Sequence, residues 1–252
     1  MTVIATLLAG LASSEMTRAQ YDRAYAAQLQ SKAGDQWAYF QAKKLRGALA
    51  QNSWEILTVT SDIRPLDNPA LKNLPAKAAP DVDAKLQAAL RALEQQKPET
   101  EITTLLALVN DSALTAALQA AKDNANAFDA ALAPANQALD QLDKSLPAGD
   151  KAAARDLTAA RMHFLAARYG AEAGLNQSIA NLYELQVRKF NLSAERHHKR
   201  SGEFFFGMLT AQAAVIVSTF AIAAQKRNFL WLLAAAAGLA AVAFALYVYL
   251  KV

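Results

Sequence analysis

The chain has 252 residues, of which 54% are hydrophobic and 19% charged, and its sequence contains no cysteine. Without cysteine, disulfides, thiolate metal sites and a cysteine nucleophile are excluded. The net charge of +4 and the pI near 9.2 do not indicate nucleic-acid binding, because the basic residues crowd the segments beside the predicted membrane spans, where positive charge fixes topology and contacts lipid headgroups.

The first apolar stretch, "TVIATLLAGLASS", covers residues 2–14. It is shorter than the roughly 20 residues that a transmembrane helix needs, and it lacks the basic start of a signal peptide. We interpret residues 1–14 as an N-terminal membrane segment, either a truncated span or the outer end of a long helix. Because residues 14–52 contain no proline, we predict one helix from Thr2 to about Gln51.

Residues 15–202 are predicted to form a helical bundle of coiled-coil type, interrupted by a linker at 61–80 that holds four prolines. Further helices are predicted at 81–96 and from Glu99 or Thr100 to about Leu146, with Pro134 as a kink or a second boundary. Asp150 is a plausible N-cap for the next helix. The only strand-like alternation is "ILTVT", just before the linker.

From Asp150 to Gln225 there is no proline, which predicts a single helix of about 75 residues that enters the bilayer. Its last part and the segment Asn228–Leu250 are each long enough and apolar enough to span a membrane. We therefore predict an all-α membrane protein in which residues 203–252 form a transmembrane hairpin, with spans at about 204–225 and 228–250.

Small residues follow one side of each predicted span, Gly238 among them, and such spacing lets membrane helices approach closely. Gln212 is the one strongly polar side chain well inside a span. We interpret it as the source of an interhelical hydrogen bond and not as part of a transport path, because neither span contains an ionisable group.

A basic segment, "ERHHKR", precedes the first span of the hairpin. We predict that Arg196, His197, His198, Lys199 and Arg200 contact anionic lipid headgroups. Counting basic residues near the spans favours a cytoplasmic helical domain, although the basic turn "QKRNFLW" also resembles a cytoplasmic hairpin tip.

Reactive groups in catalytic patterns are not evident in the sequence. His197 and His198 are adjacent and point about 100° apart on a helix, which does not suit a shared metal ion. Carboxylate pairs such as Asp140 and Asp143 occupy polar surroundings that would not raise a pKa. We predict no enzymatic activity, no cofactor and no small-molecule substrate.

The segment Asp35–Lys44, "DQWAYFQAKK", is unusually aromatic for this alanine-rich chain. On a helical wheel, Ala38, Ala42, Leu45 and Leu49 form a flat apolar stripe, which we predict lets a second helix approach closely. Trp37, Phe40 and the Lys44 stem form an adjoining face. Tyr39, Lys43 and Arg46 fall on the opposite, polar side. We predict that Lys44 lies against the Phe40 ring, and that the aromatic face either packs inside the bundle or docks another subunit.

This motif resembles the [SDN]-Q-W-A-Y-Y-Q-A-K pattern of a family of uncharacterised bacterial membrane proteins, a domain of unknown function. The chain matches at Gln36, Trp37, Ala38, Tyr39, Gln41, Ala42 and Lys43, and again at "AAQKRNFLW", residues 223–231, whereas Phe40 replaces a tyrosine. The resemblance implies an inner-membrane, multi-pass protein with a helical middle and a C-terminal hairpin, and a helical domain outside the cytoplasm. Residues 61–149 are not anchored by it, and it implies no activity.

Three functional hypotheses follow. The first is a non-enzymatic, membrane-anchored scaffold or accessory subunit that forms a homo-oligomer or docks on a larger membrane complex. The second is a signal-transducing or ligand-sensing bundle, which needs a pocket in the region 65–146. The third is an enzyme, which would require a partner chain to supply the catalytic groups.

Overall fold

The computed structural model describes residues 2–66, 68, 71, 82–147, 149–223 and 227–251, and this part of the chain is helical with no strands. The helices are α1 (Thr2–Thr60), α2 (Ala84–Glu94), α3 (Glu99–Ala107), α4 (Asp111–Ala131), α5 (Ala133–Ser145), α6 (Lys151–Ala223) and α7 (Arg227–Lys251). The predicted all-α fold is confirmed.

The chain folds as two compact units. Unit 1 contains residues 1–28 and 187–252, and unit 2 contains residues 29–186. The long helices α1 and α6 each contribute residues to both units, and α2 to α5 belong to unit 2.

Helix α1 continues past Gln51 to Thr60, so the strand-like interpretation of "ILTVT" is wrong. The helix is supported locally, because the Gln51 side chain donates to Glu55 one turn later, at 2.7 Å. The hydroxyls of Thr58 and Thr60 also donate to backbone carbonyls of the preceding turn. Ile56 and Val59 are three residues apart, and in the helix both lie on the exposed side.

The inner face of α1, here called the α1 seam, follows a heptad repeat. Buried or half-buried residues recur at steps of three and four along the helix: Ala5, Leu8, Ala12, Glu15, Ala19, Asp22, Ala26, Leu29, Ala33, Gln36, Phe40, Lys43, Gly47 and Ala50. This 3.5-residue period is the pattern of coiled-coil helices. Most of its members are alanine or charged residues, so hydrophobicity alone does not distinguish the seam from the other faces of α1.

The short helices begin and end at recognisable signals. The side chains of Asp83 and Asn110 cap α2 and α4, and Pro98 precedes α3. The helix predicted from 99 to 146 is interrupted at Leu108–Asn110, a break that the sequence analysis missed. Pro134 lies in the first turn of α5 and marks a boundary.

Unit 2 has a core of large aliphatic and aromatic side chains. Phe128, Leu132 and Leu139 of the short helices pack against Leu157 and Phe164 of α6. Burial of such side chains contributes about 1.5–3 kcal/mol each. Residues 61–66, the described start of the predicted linker, have no regular structure, whereas most of 67–80 lies outside the described residues.

The start of α6 is capped as predicted. Asp150 Oδ1 accepts hydrogen bonds from the backbone N–H groups of Ala152 at 3.1 Å and Ala153 at 3.0 Å. From there α6 runs for 73 residues without a break, which confirms the single long helix.

In unit 1, the start of α1 packs with the end of α6 and with α7. Their shared core contains Leu8, Phe204 and Val248 together with alanines at 5, 12, 211 and 241. The most apolar 18-residue windows of α6 and α7 have mean hydropathies of 1.7 and 2.1, and only 28% and 22% of those windows is buried. Both helices are thus long and apolar enough to cross a membrane, and a soluble core helix would be mostly buried instead.

Candidate interaction surfaces

The aromatic residues of "DQWAYFQAKK" lie against α6 within unit 2. Trp37 Nε1 donates a hydrogen bond of 2.6 Å to Glu184 Oε1. The Trp37 and Phe40 rings meet edge to face with centroids 5.4 Å apart. Lys44 Nζ lies 5.6 Å from the Phe40 ring centroid, as predicted. In this chain the aromatic face therefore packs inside unit 2.

A cluster of charged side chains around Glu172 joins α1 and α6 a short distance further along α1. Lys43 forms an ion pair with Glu172, whose side chain is 6% exposed. Arg168 Nε donates to the same carboxylate at 2.5 Å, and Lys43 and Arg168 both lie near the Tyr169 ring. The prediction that Lys43 lies on a polar outer face is wrong, because Lys43 occupies a position of the α1 seam.

Gly47 lies at the contact between α1 and α6 at this level, where an alanine side chain would still fit at ordinary contact distance. A Cβ atom built on Gly47 would lie 3.4 Å from Tyr169 Cβ and 3.6 Å from the Ala166 carbonyl oxygen. A larger side chain here would push α1 away from α6 and loosen the Glu172 cluster.

The opposite side of α1 carries an uncovered apolar surface, here called the outer stripe. It consists of Ala38, Ala42, Leu45, Leu49, Ile56 and Val59, all of which are exposed. Leu45, Leu49 and Val59 are 63%, 58% and 86% exposed. At 100° per residue, the stripe faces directly away from the α1 seam. Its first four residues are the stripe predicted to let a second helix approach closely, but no helix in the described part of the chain covers them.

The basic segment before the hairpin divides between two surroundings in unit 1. Arg196, His198 and Lys199 are exposed and Arg200 is half-buried. His197 instead turns toward α1, where its Nδ1 lies 2.5 Å from Glu15 Oε2 and its Nε2 lies 4.0 Å from Asp22 Oδ2. Both carboxylates are seam residues, so this histidine serves helix pairing.

A second polar contact joins the same two helices one turn further along α6. Ser201 Oγ donates a hydrogen bond of 2.7 Å to the Ala12 carbonyl oxygen. Neither contact was predicted from the sequence, because no pattern there assigns Glu15, Asp22 and Ala12 to a packing face.

The small-residue sides of α6 and α7 are buried within unit 1, as the spacing predicted. Gly207, Ala211 and Ala214 of α6 are buried, as are Ala234, Gly238 and Ala241 of α7. Gln212 is exposed and has no hydrogen-bond partner among the described residues. The expected interhelical hydrogen bond therefore does not form within this part of the chain.

Unit 2 also contains a cleft beside the end of α1. It has a volume of about 610 Å³ and is lined by residues of α1, the segment 61–66 and α6, including Trp54, Arg64, Asp156 and His163. The rings of Trp54 and His163 lie 4.9 Å apart, and Asp156 Oδ1 accepts from the Arg64 backbone N–H at 3.1 Å. These groups are engaged with one another and form no nucleophile and base pair.

Among the described residues there is no group of three or more histidine, aspartate or glutamate side chains placed to hold a metal ion. Together, the fold and the surfaces define an all-helical protein in which the long helices α1 and α6 pair, and in which α6 and α7 are able to cross a membrane.

The chain belongs to the family described as "Domain of unknown function (DUF4337)", whose model matches residues 1–140. The matched range contains Asp35–Lys44 and most of residues 61–149, the part that the resemblance had not anchored. A comparison with curated proteins and one with solved structures each found no match to the chain.

Proposed function

We propose that this protein is a non-enzymatic, membrane-anchored helical scaffold or accessory subunit, which self-associates or docks on a larger membrane complex. The observation that carries the proposal is the outer stripe of α1. Large apolar side chains at heptad spacing remain exposed there, on a helix whose other face is already packed.

Membrane anchoring is supported by the arrangement of unit 1. The interior of its hairpin is rich in alanine, whereas Ile216, Phe220, Leu239 and Leu246 point outward. Such an arrangement is favourable where the surrounding solvent is lipid. With the family resemblance at "DQWAYFQAKK" and 223–231, we place the protein in the bacterial inner membrane as a multi-pass protein.

The exposed members of the basic segment support contact with anionic lipid. Arg196, His198 and Lys199 directly precede the apolar part of α6, where cations near a negatively charged leaflet are stabilised. This interaction would bind the basic segment to lipid headgroups, and it would not select a protein partner.

The outer stripe makes the proposal testable with the full-length protein solubilised in mild detergent. We expect the wild-type protein to elute with a mass above the 27.1 kDa of one chain, as an oligomer or with a bound subunit. The double variant Leu45→Glu/Leu49→Glu should lose this association, because charges would enter an apolar contact.

The matched control is Gln41→Glu/Ser53→Glu, which adds the same charge at exposed positions of α1 beside the stripe. It should leave the mass unchanged. A wild-type protein that is strictly monomeric, or a stripe variant that keeps its partner, would contradict the proposal.

A ligand-sensing bundle is the second candidate, and the cleft beside Trp54 favours it, although most residues of this cleft lie outside the region 65–146 where the pocket was predicted. Its volume suits a small molecule, and its lining combines aromatic, aliphatic and charged groups. A ligand of this cleft would raise the melting temperature of the wild-type protein and quench Trp54 fluorescence. A small-molecule screen without such a shift would leave the scaffold proposal ahead.

A further inference from the structure

We propose that Gln212 joins two copies of this chain inside the membrane, by hydrogen bonding between their carboxamide groups. This inference rests on the proposed membrane anchoring and specifies one contact through which the protein self-associates.

Gln212 lies at the centre of an exposed stripe on α6. Phe205, Leu209, Gln212, Ile216 and Thr219 recur at alternating steps of four and three residues and are all exposed. This is the spacing of a helix that pairs along one face. The buried alanines at 211 and 214 belong to the other side of α6, which packs within unit 1. The stripe, here called the Gln212 face, is thus separate from the intramolecular contact.

The carboxamide of Gln212 has no hydrogen-bond partner among the described residues. The large neighbours on its face are apolar, and the Thr219 hydroxyl is already bonded to the Val215 carbonyl oxygen at 2.9 Å. An amide in hydrocarbon without a partner is unfavourable, because it has lost its hydrogen bonds to water and gained none. A partner outside the described residues would remove that penalty.

A second copy of the chain supplies the complementary group at the correct depth. A carboxamide both donates and accepts hydrogen bonds, so two copies of Gln212 can bond to each other reciprocally. A two-fold axis along the membrane normal places the same residue of each copy at the same height. A single polar residue at a heptad position also fixes the register of a helix pair.

The Gln212 face has room for a second helix at its Phe205 end. A cleft of about 550 Å³ adjoins Phe205 and is lined largely by small or flexible residues, among them Ala9, Ser13, Met16 and Gly202. Large side chains of an opposing helix could enter this cleft, while Gln212 supplies the polar contact further along.

The absence of cysteine from the sequence allows a clean cross-linking test in native membranes. Ile216→Cys on the Gln212 face should form a disulfide-linked dimer under mild oxidation. The control Leu233→Cys is exposed on α7, about as many residues from the start of α7 as Ile216 is from the end of α6, and it should not. Adding Gln212→Leu to Ile216→Cys should weaken dimerisation about 3- to 10-fold, whereas Gln212→Asn, which keeps the carboxamide, should preserve most of it.

Equal cross-linking at Ile216→Cys and Leu233→Cys, or a cross-link that Gln212→Leu leaves unchanged, would overturn the proposal. Cross-linking of Ile216→Cys only to a different membrane protein would also overturn it. Alkaline extraction of the same membranes separates this failure from that of the proposed function. A protein that stays in the membrane pellet but does not dimerise refutes the Gln212 contact alone, whereas extraction into the supernatant refutes membrane anchoring.

Discussion

The two units place large and small apolar residues in opposite ways. In unit 2, leucine and phenylalanine fill the core, and polar residues cover most of the surface. In the hairpin of unit 1, the buried residues are mostly alanine and glycine, with Phe204 and Val248 among them, while most leucine, isoleucine and phenylalanine side chains are exposed. Unit 2 follows the pattern of a protein in water, and the hairpin follows that of helices in lipid. This difference is the one expected if unit 2 lies in water and the hairpin lies in lipid, as we propose.

The seam of α1 shows a related contrast. In unit 2 it meets α6 through Trp37, Phe40 and the charged cluster at Glu172. At the start of α1, in unit 1, it meets the hairpin through Ala5, Leu8 and Ala12. Single substitutions can perturb the packing of unit 1 or of unit 2 separately.

Glu172→Ala should have the largest effect. It leaves Lys43 and Arg168 facing each other in a largely buried site, and breaking a buried ion pair from one side destabilises by about 3–5 kcal/mol. Lys43 and Arg168 are each about a quarter exposed, so we expect the lower end of that range. Urea unfolding of the full-length protein in detergent, followed by circular dichroism, would measure the change.

The control for this variant is Glu195→Ala, at an exposed position of the same helix. Its unfolding free energy should stay within about 0.5 kcal/mol of the wild-type value. Similar losses for the two variants would show that the Glu172 cluster contributes no special stability.

Ala211→Leu should have an intermediate effect. Ala211 is fully buried against the other helices of unit 1, and a larger side chain there would overpack the bundle, at a cost of about 1–3 kcal/mol. Ala213→Leu, two residues further along, places the same side chain on the exposed surface and should leave the stability unchanged. Thermal aggregation of the two detergent-solubilised variants compares them, and equal melting points would show that the alanine interior does not set helix spacing.

Trp37→Phe should have the smallest effect. It retains an aromatic ring beside Phe40 but removes the donor of the 2.6 Å hydrogen bond to Glu184. We expect a loss of about 1–2 kcal/mol, measured by the same urea titration. Recovery of the wild-type value in Trp37→Phe/Glu184→Leu, where both hydrogen-bonding partners are removed, would confirm that the loss comes from an unpaired Glu184.

Helix boundaries were largely predictable from local signals. Prolines at 98 and 134 and the cap at Asp150 each mark a helix end in the structure. The α1 seam was not predictable from hydrophobicity, because alanine, glycine and charged residues occupy most of its positions and only the heptad spacing identifies it. The segment "ILTVT" was misleading because its apolar residues suggested a strand, whereas the structure continues α1 through them to Thr60.

The candidate surfaces depended on tertiary contacts that single-sequence patterns do not contain. The stripe of Ala38, Ala42 and Leu45 was visible on a helical wheel, but only the position of α6 shows that it stays uncovered. Lys43 and His197 look like solvated charges in the sequence, and each is turned inward by a carboxylate on the other long helix. The outward direction of Gln212 likewise follows from which side of α6 the alanines occupy.

The contrast between the two units is tested most directly by the water accessibility of single cysteines in intact membranes. Leu239→Cys in the hairpin and Asn52→Cys in unit 2 both lie at exposed positions of the structure. If lipid covers the hairpin, a water-soluble maleimide will label Asn52→Cys in permeabilised membranes and leave Leu239→Cys unlabelled until detergent and denaturant are added. Equal labelling of both cysteines in the membrane would contradict the account.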